Sequence, residues 1–294
     1  MKPGDYPATL RAARVVAALA QRRYFAFLLL QLGAAFLGAL FASVAAAVDS
    51  PMIAQACRQA SAVALLVSFV VLLLGRVLRT DALWWDARAV AESIRSFTWR
   101  FMMQAAPFEG AAAASPEERF RVQLVEAQRA RPDISAAVER RRDADPSEIS
   151  AVMRETRRAP LEARRAFYRE QRLDDQRRWY GDRARSHERA REAYFLLATL
   201  VQLGAVLVAF LQWRPWRLNL VPLLVAISAS VTAWAQARRH EESAQAYAAA
   251  RQELDVVAAR LEAAPDEAAF EAAVAETETV LSREHTAWMA RRNR

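Results

Sequence analysis

Four stretches of this chain lack the polar face that a helix of a soluble protein keeps. Tyr24–Val48 is uncharged for 25 residues, Ala60–Gly75 is a shorter apolar run, and Ala193–Leu211 and Leu218–Ala237 supply two more. A helix rises about 1.5 Å per residue and the hydrocarbon core of a bilayer is about 30 Å thick, so about 20 residues cross it. The first, third and fourth stretches meet that length. The second reaches it as Ala56–Leu78, with Arg58 at one edge and the long stem of Arg76 able to snorkel outward. Buried soluble helices this long would rarely do without a polar face. The pattern predicts four transmembrane helices as two tandem hairpins.

Between and after these spans the periodicity is helical, with no alternating strand pattern and no Asn-Gly hairpin signal. "SPEE" (Ser115–Glu118) and "DPSE" (Asp145–Glu148) each read as a capping residue, proline at the first helical position and glutamate at the third. Pro107, Gly110, Pro132 and Pro160 mark breaks. The second span is expected to continue from Arg79 to Met103. A helix from Leu161 is expected to run into the third span, with Gly181 as its weak point. Tyr247, Leu254 and Leu261 repeat every seven residues, as do Val274, Leu281 and Trp288 beyond the "APDE" break. That spacing predicts an antiparallel helical hairpin, packed within the chain or against another subunit. Before Tyr24, Leu10, Val15, Val16 and Leu19 among Arg11, Arg14, Arg22 and Arg23 predict a basic amphipathic helix lying in the lipid interface.

The expected fold is therefore an all-α integral membrane protein with a cytoplasmic helical bundle and a C-terminal helical hairpin. Its divisions are an N-terminal amphipathic helix and first transmembrane hairpin (1–78), a cytoplasmic helical region (79–190), a second transmembrane hairpin (191–237) and the heptad-patterned hairpin (238–294).

Charge orients these spans. Of 41 Lys and Arg, five precede Tyr24, twenty-five lie between Arg76 and Arg191, and eight lie from Arg238 onward. Only Arg58, Arg214 and Arg217 fall in the short connections. The asymmetry places both termini and the central segment in the cytoplasm of a multi-pass inner-membrane protein. It accounts for the formal charge of +8 without invoking nucleic acid, for which no reading motif is present. The cleavage-like "AAA" at Ala45–Ala47 follows too long an apolar run for a secretory signal, so an uncleaved anchor is expected. Cys57, the sole cysteine, is expected on the outer side as a free thiol.

Two amides interrupt the apolar runs at matching places. Gln31 in "LQLGAAFLGAL" and Gln202 in "VQLGAVLVAFL" lie seven and eight residues after Tyr24 and Tyr194, at similar depth. The likeness suggests two two-helix units repeated in parallel. An amide in hydrocarbon needs partners, so both should point into the bundle. Interhelical glue is the favoured reading; a polar ring in an oligomeric pore is the sharper one. Gly33, Gly38 and Gly204 accompany the amides, and Ala34, Gly38, Ala42 and Ala46 form a small-residue ridge for close helix packing or self-association. Ala229, Ala233 and Ala237 do the same in the fourth span.

Chemistry-bearing motifs do not appear. There is no phosphate loop, zinc-binding spacing, paired cysteines or nucleophile elbow, and His187, His240 and His285 are isolated in sequence. Asp174 and Asp175 are neighbours about 100° apart on a helix, poor partners for acid–base work. No acid or base within the spans marks an ion relay. Neither an enzyme, a cofactor nor a metal is expected.

"WWDARAVAESIRSFTWRFMMQAAPF" (Trp84–Phe108) and "YREQRLDDQRRWYGDRA" (Tyr168–Ala184) resemble signature segments of the SLATT superfamily, two-transmembrane effector domains associated with nucleotide-second-messenger synthases and sensors. The residues that carry the resemblance are Arg88, Ala89, Ala91, Glu92, Ser93 and Trp99–Arg100, then Tyr168, Arg172, Leu173, Gln176 and Trp179–Tyr180. Arg95 and Arg183 stand where the family pattern has lysine, which keeps the charge and changes the hydrogen-bonding geometry. The resemblance implies a membrane-perturbing or pore-forming effector of a bacterial conflict system. Independently, Arg88, Glu92, Arg95 and Trp99 share one helix face, and Tyr168, Arg172, Asp175, Trp179 and Arg183 share another. A charged stripe is usually solvated surface, but a tryptophan on each argues that the faces meet in a cytoplasmic bundle.

The function expected is an inner-membrane defence effector that forms homo-oligomers and permeabilises the bilayer on a cytoplasmic signal. Its expected partners are lipid, further copies of itself and a cytoplasmic sensor or nucleotide synthase. An ion channel or sensor with a helical gate, and a non-conducting scaffold recruiting a partner through its hairpin, are the rivals.

Overall fold

The computed structural model describes residues 1–110, 114–142, 147–211 and 218–292, with only the backbone of 283–292. Every regular element among them is helical. In order they are a short 3-10 helix (Pro3–Asp5), α1 (Ala8–Ala47), α2 (Pro51–Val77), α3 (Thr80–Met102), α4 (Pro116–Arg129), α5 (Pro132–Glu139), α6 (Ala151–Arg158), α7 (Leu161–Tyr168), a π-helical stretch (Arg169–Asp174), α8 (Asp175–Phe210), α9 (Val221–Arg238), α10 (His240–Glu262) and α11 (Glu267–Arg292). They form two compact units, one of residues 1–21, 81–184 and 245–294, the other of 22–80 and 185–244. Residues 1–21, grouped with the first apolar hairpin in the expected divisions, here share a unit with 81–184 and 245–294.

The first unit has a conventional apolar core. Leu10 and Val16, Ile94 and Phe101, Phe120, Met153, Leu254, Phe270 and Val274 are all buried in one cluster. The amphipathic start of α1 thus covers protein instead of lying in the lipid interface, because Leu10 and Ala13 find a packed apolar surface that buries them fully. The N-terminus of α1 is capped from far along the chain. Glu148 accepts from the Thr9 N–H at 3.2 Å and the Thr9 hydroxyl at 2.7 Å, placing negative charge where the helix dipole is positive. The "DPSE" box expected at Asp145–Glu148 rests on Asp145 and Pro146, which lie outside the described residues. The next helix, α6, instead starts under Ser150, whose hydroxyl accepts from the Met153 N–H at 3.2 Å. The "SPEE" cap forms as expected, with Ser115 accepting from the Glu118 N–H at 3.2 Å. The heptad positions Tyr247, Leu254, Leu261, Val274 and Leu281 are buried within this chain; the Trp288 side chain lies outside the described residues.

Two expected helices differ in detail. The continuation of the second span breaks at Arg79, whose φ of 45° is left-handed, so α3 is a separate helix. Arg239, with φ 47°, makes the same break between α9 and α10. In the helix from Leu161 the irregularity falls at the π stretch, not at Gly181. A Cβ at Gly181 would sit 2.6 Å from Arg251 Nη1, so close approach of that guanidinium is what the glycine permits.

The second unit inverts the usual arrangement. Small side chains are inside: Ala34, Ser43, Ala54, Ser61, Ala205 and Ser228 are buried. Large apolar ones are outside, with Phe195 and Phe210 exposing 73% and 84% of their surface. Such a surface suits hydrocarbon, where helices associate by close packing and polar glue. The Ser61 hydroxyl donates to the Gly38 carbonyl at 2.8 Å and Ser68 to that of Gln31 at 3.0 Å, tying α2 to α1. Ser228 donates to the Ala198 carbonyl at 3.2 Å, and the Trp234 indole N–H to the Tyr194 hydroxyl at 3.2 Å, tying α9 to α8. Phe25 meets Trp234 at 5.4 Å between centroids and lies under the Arg238 guanidinium at 4.2 Å, joining α1 to α9.

Three helical stretches among the described residues are long and apolar enough to cross a membrane, within Ala8–Ala47, Pro51–Met102 and Leu161–Phe210. The α9 helix is not among them: its 18 residues include Gln236 and Arg238 and rise about 27 Å.

Candidate functional site

Among the described residues, the most deeply buried ion pair lies in the first unit. Arg172, on the π stretch, is 1% exposed, and Glu278, on α11, is fully buried. They meet in a fork: Arg172 Nε donates to Oε1 at 2.8 Å and Nη2 to Oε2 at 2.7 Å. The Tyr168 hydroxyl donates to the same Oε1 at 3.0 Å. Trp99 of α3, also fully buried, closes the cluster, with its ring 5.8 Å from that of Tyr168 and 6.0 Å from the Arg172 guanidinium.

The pair is held from α3 by further donors into α11. Arg100 Nη2 donates to the Ala275 carbonyl at 3.1 Å and the Thr279 hydroxyl at 2.8 Å. At the C-terminus of α3, Arg164 Nη1 donates to the Met103 carbonyl at 3.0 Å and Arg157 Nη1 to that of Phe101 at 2.5 Å. Those guanidiniums take up carbonyls that the helix end leaves without intrahelical partners. Both residues, and Glu278, escape sequence reading. Glu278 carried one usable signal, since it falls four residues after Val274 and three before Leu281, among core positions.

The apolar spans lie elsewhere in the chain, so the electrostatics here are those of a protein interior. Burial raises the Tyr168 hydroxyl well above the ordinary tyrosine value, and the adjacent Glu278 charge adds to it. Burial acts to lower Arg172, but the Glu278 carboxylate more than reverses this, and the arginine is held charged beyond its ordinary range. A desolvated fork of this kind fixes which helices pair and at what register, more than it adds stability.

The other expected positions divide among three places. Trp99, Arg100, Tyr168 and Arg172 form the cluster above. Trp179, Tyr180 and Arg183 form a second, with Trp179 and Tyr180 5.3 and 5.8 Å from Tyr247 of α10 and the Arg183 guanidinium 5.5 Å over Trp179. Arg88, Glu92 and Arg95 are half-buried on α3, and Glu92 reaches Arg95 only at 3.9 Å. The stripe expected through Asp175, Trp179 and Arg183 is displaced: Asp175 and Arg183 are exposed, while Gln176 and Tyr180 are buried. The π stretch explains it. A π turn accommodates one extra residue, so every inward position beyond Arg172 moves on by one.

In the second unit, Gly38 alone of the three expected glycines is closed over, with a Cβ there meeting Leu65 Cδ2 at 2.8 Å; Gly33 and Gly204 are open. The ridge does not continue beyond Gly38: Ala42 and Ala46 are exposed, while Ser43 and Ala45, on nearly opposite sides of the helix, are buried. Four-residue spacing drifts about 40° per step on a helix, so such a ridge cannot stay in one contact. Gln31 is half-buried, whereas Gln202 is exposed, its carbonyl oxygen reached by the Ser228 hydroxyl only at 3.5 Å. The expectation that both amides face inward fails for Gln202.

An outward-apolar helical unit joined in one chain to a helical bundle with a buried ion pair defines the class of integral membrane proteins. Residues 7–165 match the SMODS and SLOG-associating 2TM effector domain 3 and residues 168–288 the SMODS and SLOG-associating 2TM effector domain 1. The chain belongs to the SLATT superfamily. No curated protein and no solved structure matches it. Trp99 falls in the first matched segment and Tyr168, Arg172 and Glu278 in the second, so the buried cluster is shared by both.

Proposed function

We propose that this protein is a non-enzymatic effector that assembles in the inner membrane and makes it leaky when a cytoplasmic signal reaches its polar unit. The observation that carries the reading is Gln202. It projects from the apolar surface of α8 with one marginal hydrogen bond, and an amide facing hydrocarbon without partners costs several kcal/mol. A second copy, presenting its own Gln202, supplies the missing donors and acceptors and gathers amides around an axis. Two matches to two-transmembrane effector domains in one chain support four spans in two tandem hairpins, with α9 as the fourth. The excess of arginine in the termini and central segment supports their cytoplasmic placement. The buried Arg172–Glu278 cluster, contributed by α3, the π stretch and α11, is the element whose rearrangement would carry the signal toward the spans.

Inducible expression in a bacterium loaded with a membrane-potential dye tests this. The wild-type chain should collapse the potential. Gln202→Leu should abolish the collapse while the protein still reaches the membrane, and Gln31→Leu, half-buried and not at the outer surface, should do less. An unchanged potential with the wild-type chain would leave a scaffold as the reading.

A further inference from the structure

The first unit holds a second set of arginines, arranged unlike the buried pair. A cavity of about 350 Å³ opens where α1, α3 and the start of α8 converge. Arg14 of α1 and Arg95 of α3 line it, together with the exposed Arg178 of α8, Glu170 and Asp175. Elsewhere in this unit the deeply buried guanidiniums have a carboxylate: Arg172 has Glu278 and Arg164 has Glu267. Arg14 and Arg95 share one nearby acid, Glu92, whose charge offsets part of the lowering of the Arg14 pKa. Arg14 lies on the Tyr6 ring, 4.8 Å from its centroid. Arg95 has Glu92 at the outer limit of an ion pair, 3.9 Å, and its Nε is buried with no hydrogen-bond partner among the described residues. Burial lowers the Arg14 pKa, and the charge of Arg95 lowers it further. Two half-buried guanidiniums that share one carboxylate leave a net positive charge facing the cavity, and an anion between them would neutralise it.

The geometry points to a binding site for a small phosphate monoester, with Arg14 and Arg95 as its two jaws and the exposed Arg178 in its lining. Guanidinium forks match phosphate oxygens two by two. The volume is at the small end of ligand sites, which suits one phosphate with a short polar remainder. Glu170 and Asp175 repel a long polyanion and accept hydrogen bonds from hydroxyls. Glu170 comes from the π stretch, a distortion frequent at functional sites. As the input of the proposed effector, the site rests on that reading; as a binding site it stands without it.

The test uses the full chain. In detergent, glycerol 3-phosphate is titrated and thermal unfolding is followed. In a parallel arm, nanodiscs with and without phosphatidic acid are compared, which separates a soluble ester from a lipid headgroup of the same chemistry. A saturable rise in melting temperature in either arm is expected, with affinity reduced about tenfold or more in Arg14→Gln or Arg95→Gln. Arg95→Lys should retain part of it. Without ligand, Arg95→Gln should melt no lower than wild type, because a repulsion has been removed. Should a jaw variant not fold, Arg178→Gln, at an exposed lining position, should still weaken binding several-fold. No saturable rise in either arm, or a rise undiminished in the Arg14→Gln/Arg95→Gln double variant, overturns the site. Leakage is not the readout, so failure of binding and failure of the effector reading are separate results.

Discussion

At the scale of single residues, the Arg172–Glu278 fork has the most to lose. Glu278→Gln leaves a buried guanidinium short of its counter-charge, at a cost of about 3–5 kcal/mol. Tyr168→Phe removes one hydrogen bond to a charged acceptor, about 1.5–3 kcal/mol. The double change Arg172→Met/Glu278→Leu should be milder than either single loss of charge, since no lone ion remains. Thermal unfolding in detergent orders the three. In the second unit, the ring nitrogens Nδ1 of His187 and His240 are 3.1 Å apart, one donating and the other accepting. Burial lowers the His240 pKa from 6.5 and nearby Arg238 lowers it further. The unfolded chain therefore takes up the proton more readily, and this contribution to stability is complete above pH 6.5 and is lost as pH falls below it. Doubly protonated rings would also set two donors against each other. His240→Phe should flatten the acid limb of the melting-temperature profile; an unaltered limb would show that other groups govern it.

At the scale of elements, helix contacts in the second unit are set by what is small. Gly38 lets α2 approach until Leu65 nearly touches the α1 backbone. Gly38→Leu should force α1 and α2 apart, costing about 1–3 kcal/mol in overpacking. Gly33→Ala, where nothing lies within 4 Å of the new Cβ, should be neutral or slightly favourable. Comparative melting of the two variants reads the difference. Two further helix joints, at Arg79 and Arg239, use a left-handed residue with a Cβ, a conformation that glycine adopts without steric cost. Each ends an apolar helix and begins a polar one, so the two halves of the chain turn in the same way. This strengthens the tandem repeat first suggested by four identical residues around Gln31 and Gln202.

At the scale of the whole molecule, orientation is the property that the proposed function needs, and the chain carries its own probe. Cys57, the only cysteine, is partly accessible near the start of α2. In intact spheroplasts a membrane-impermeant thiol reagent should label it, while cysteines introduced at exposed Arg189 or Glu253 in a Cys57→Ser background should react only after lysis. Labelling of those two positions in intact cells would reverse the proposed topology.

Apolar runs, heptads and the family segments were legible because each is local: hydropathy needs only composition over a span, and helical periodicity only neighbours three and four residues away. On those grounds the chain by itself determined an all-helical protein, apolar stretches long enough for a bilayer, and a C-terminal hairpin with its buried stripe. The tertiary structure decided what depends on residues far apart. It gave Arg172 its partner 106 positions away, made Glu148 the cap of α1, drew the start of α1 into the apolar core of the first unit and turned Gln202 outward. A π turn then moved the inward stripe by one residue, beyond what a fixed 3.6-residue period can foresee. The physical reason is common to all of these. Whether a polar side chain is a surface ornament or a buried contact depends on which distant group desolvates and satisfies it, and no window of sequence contains that group.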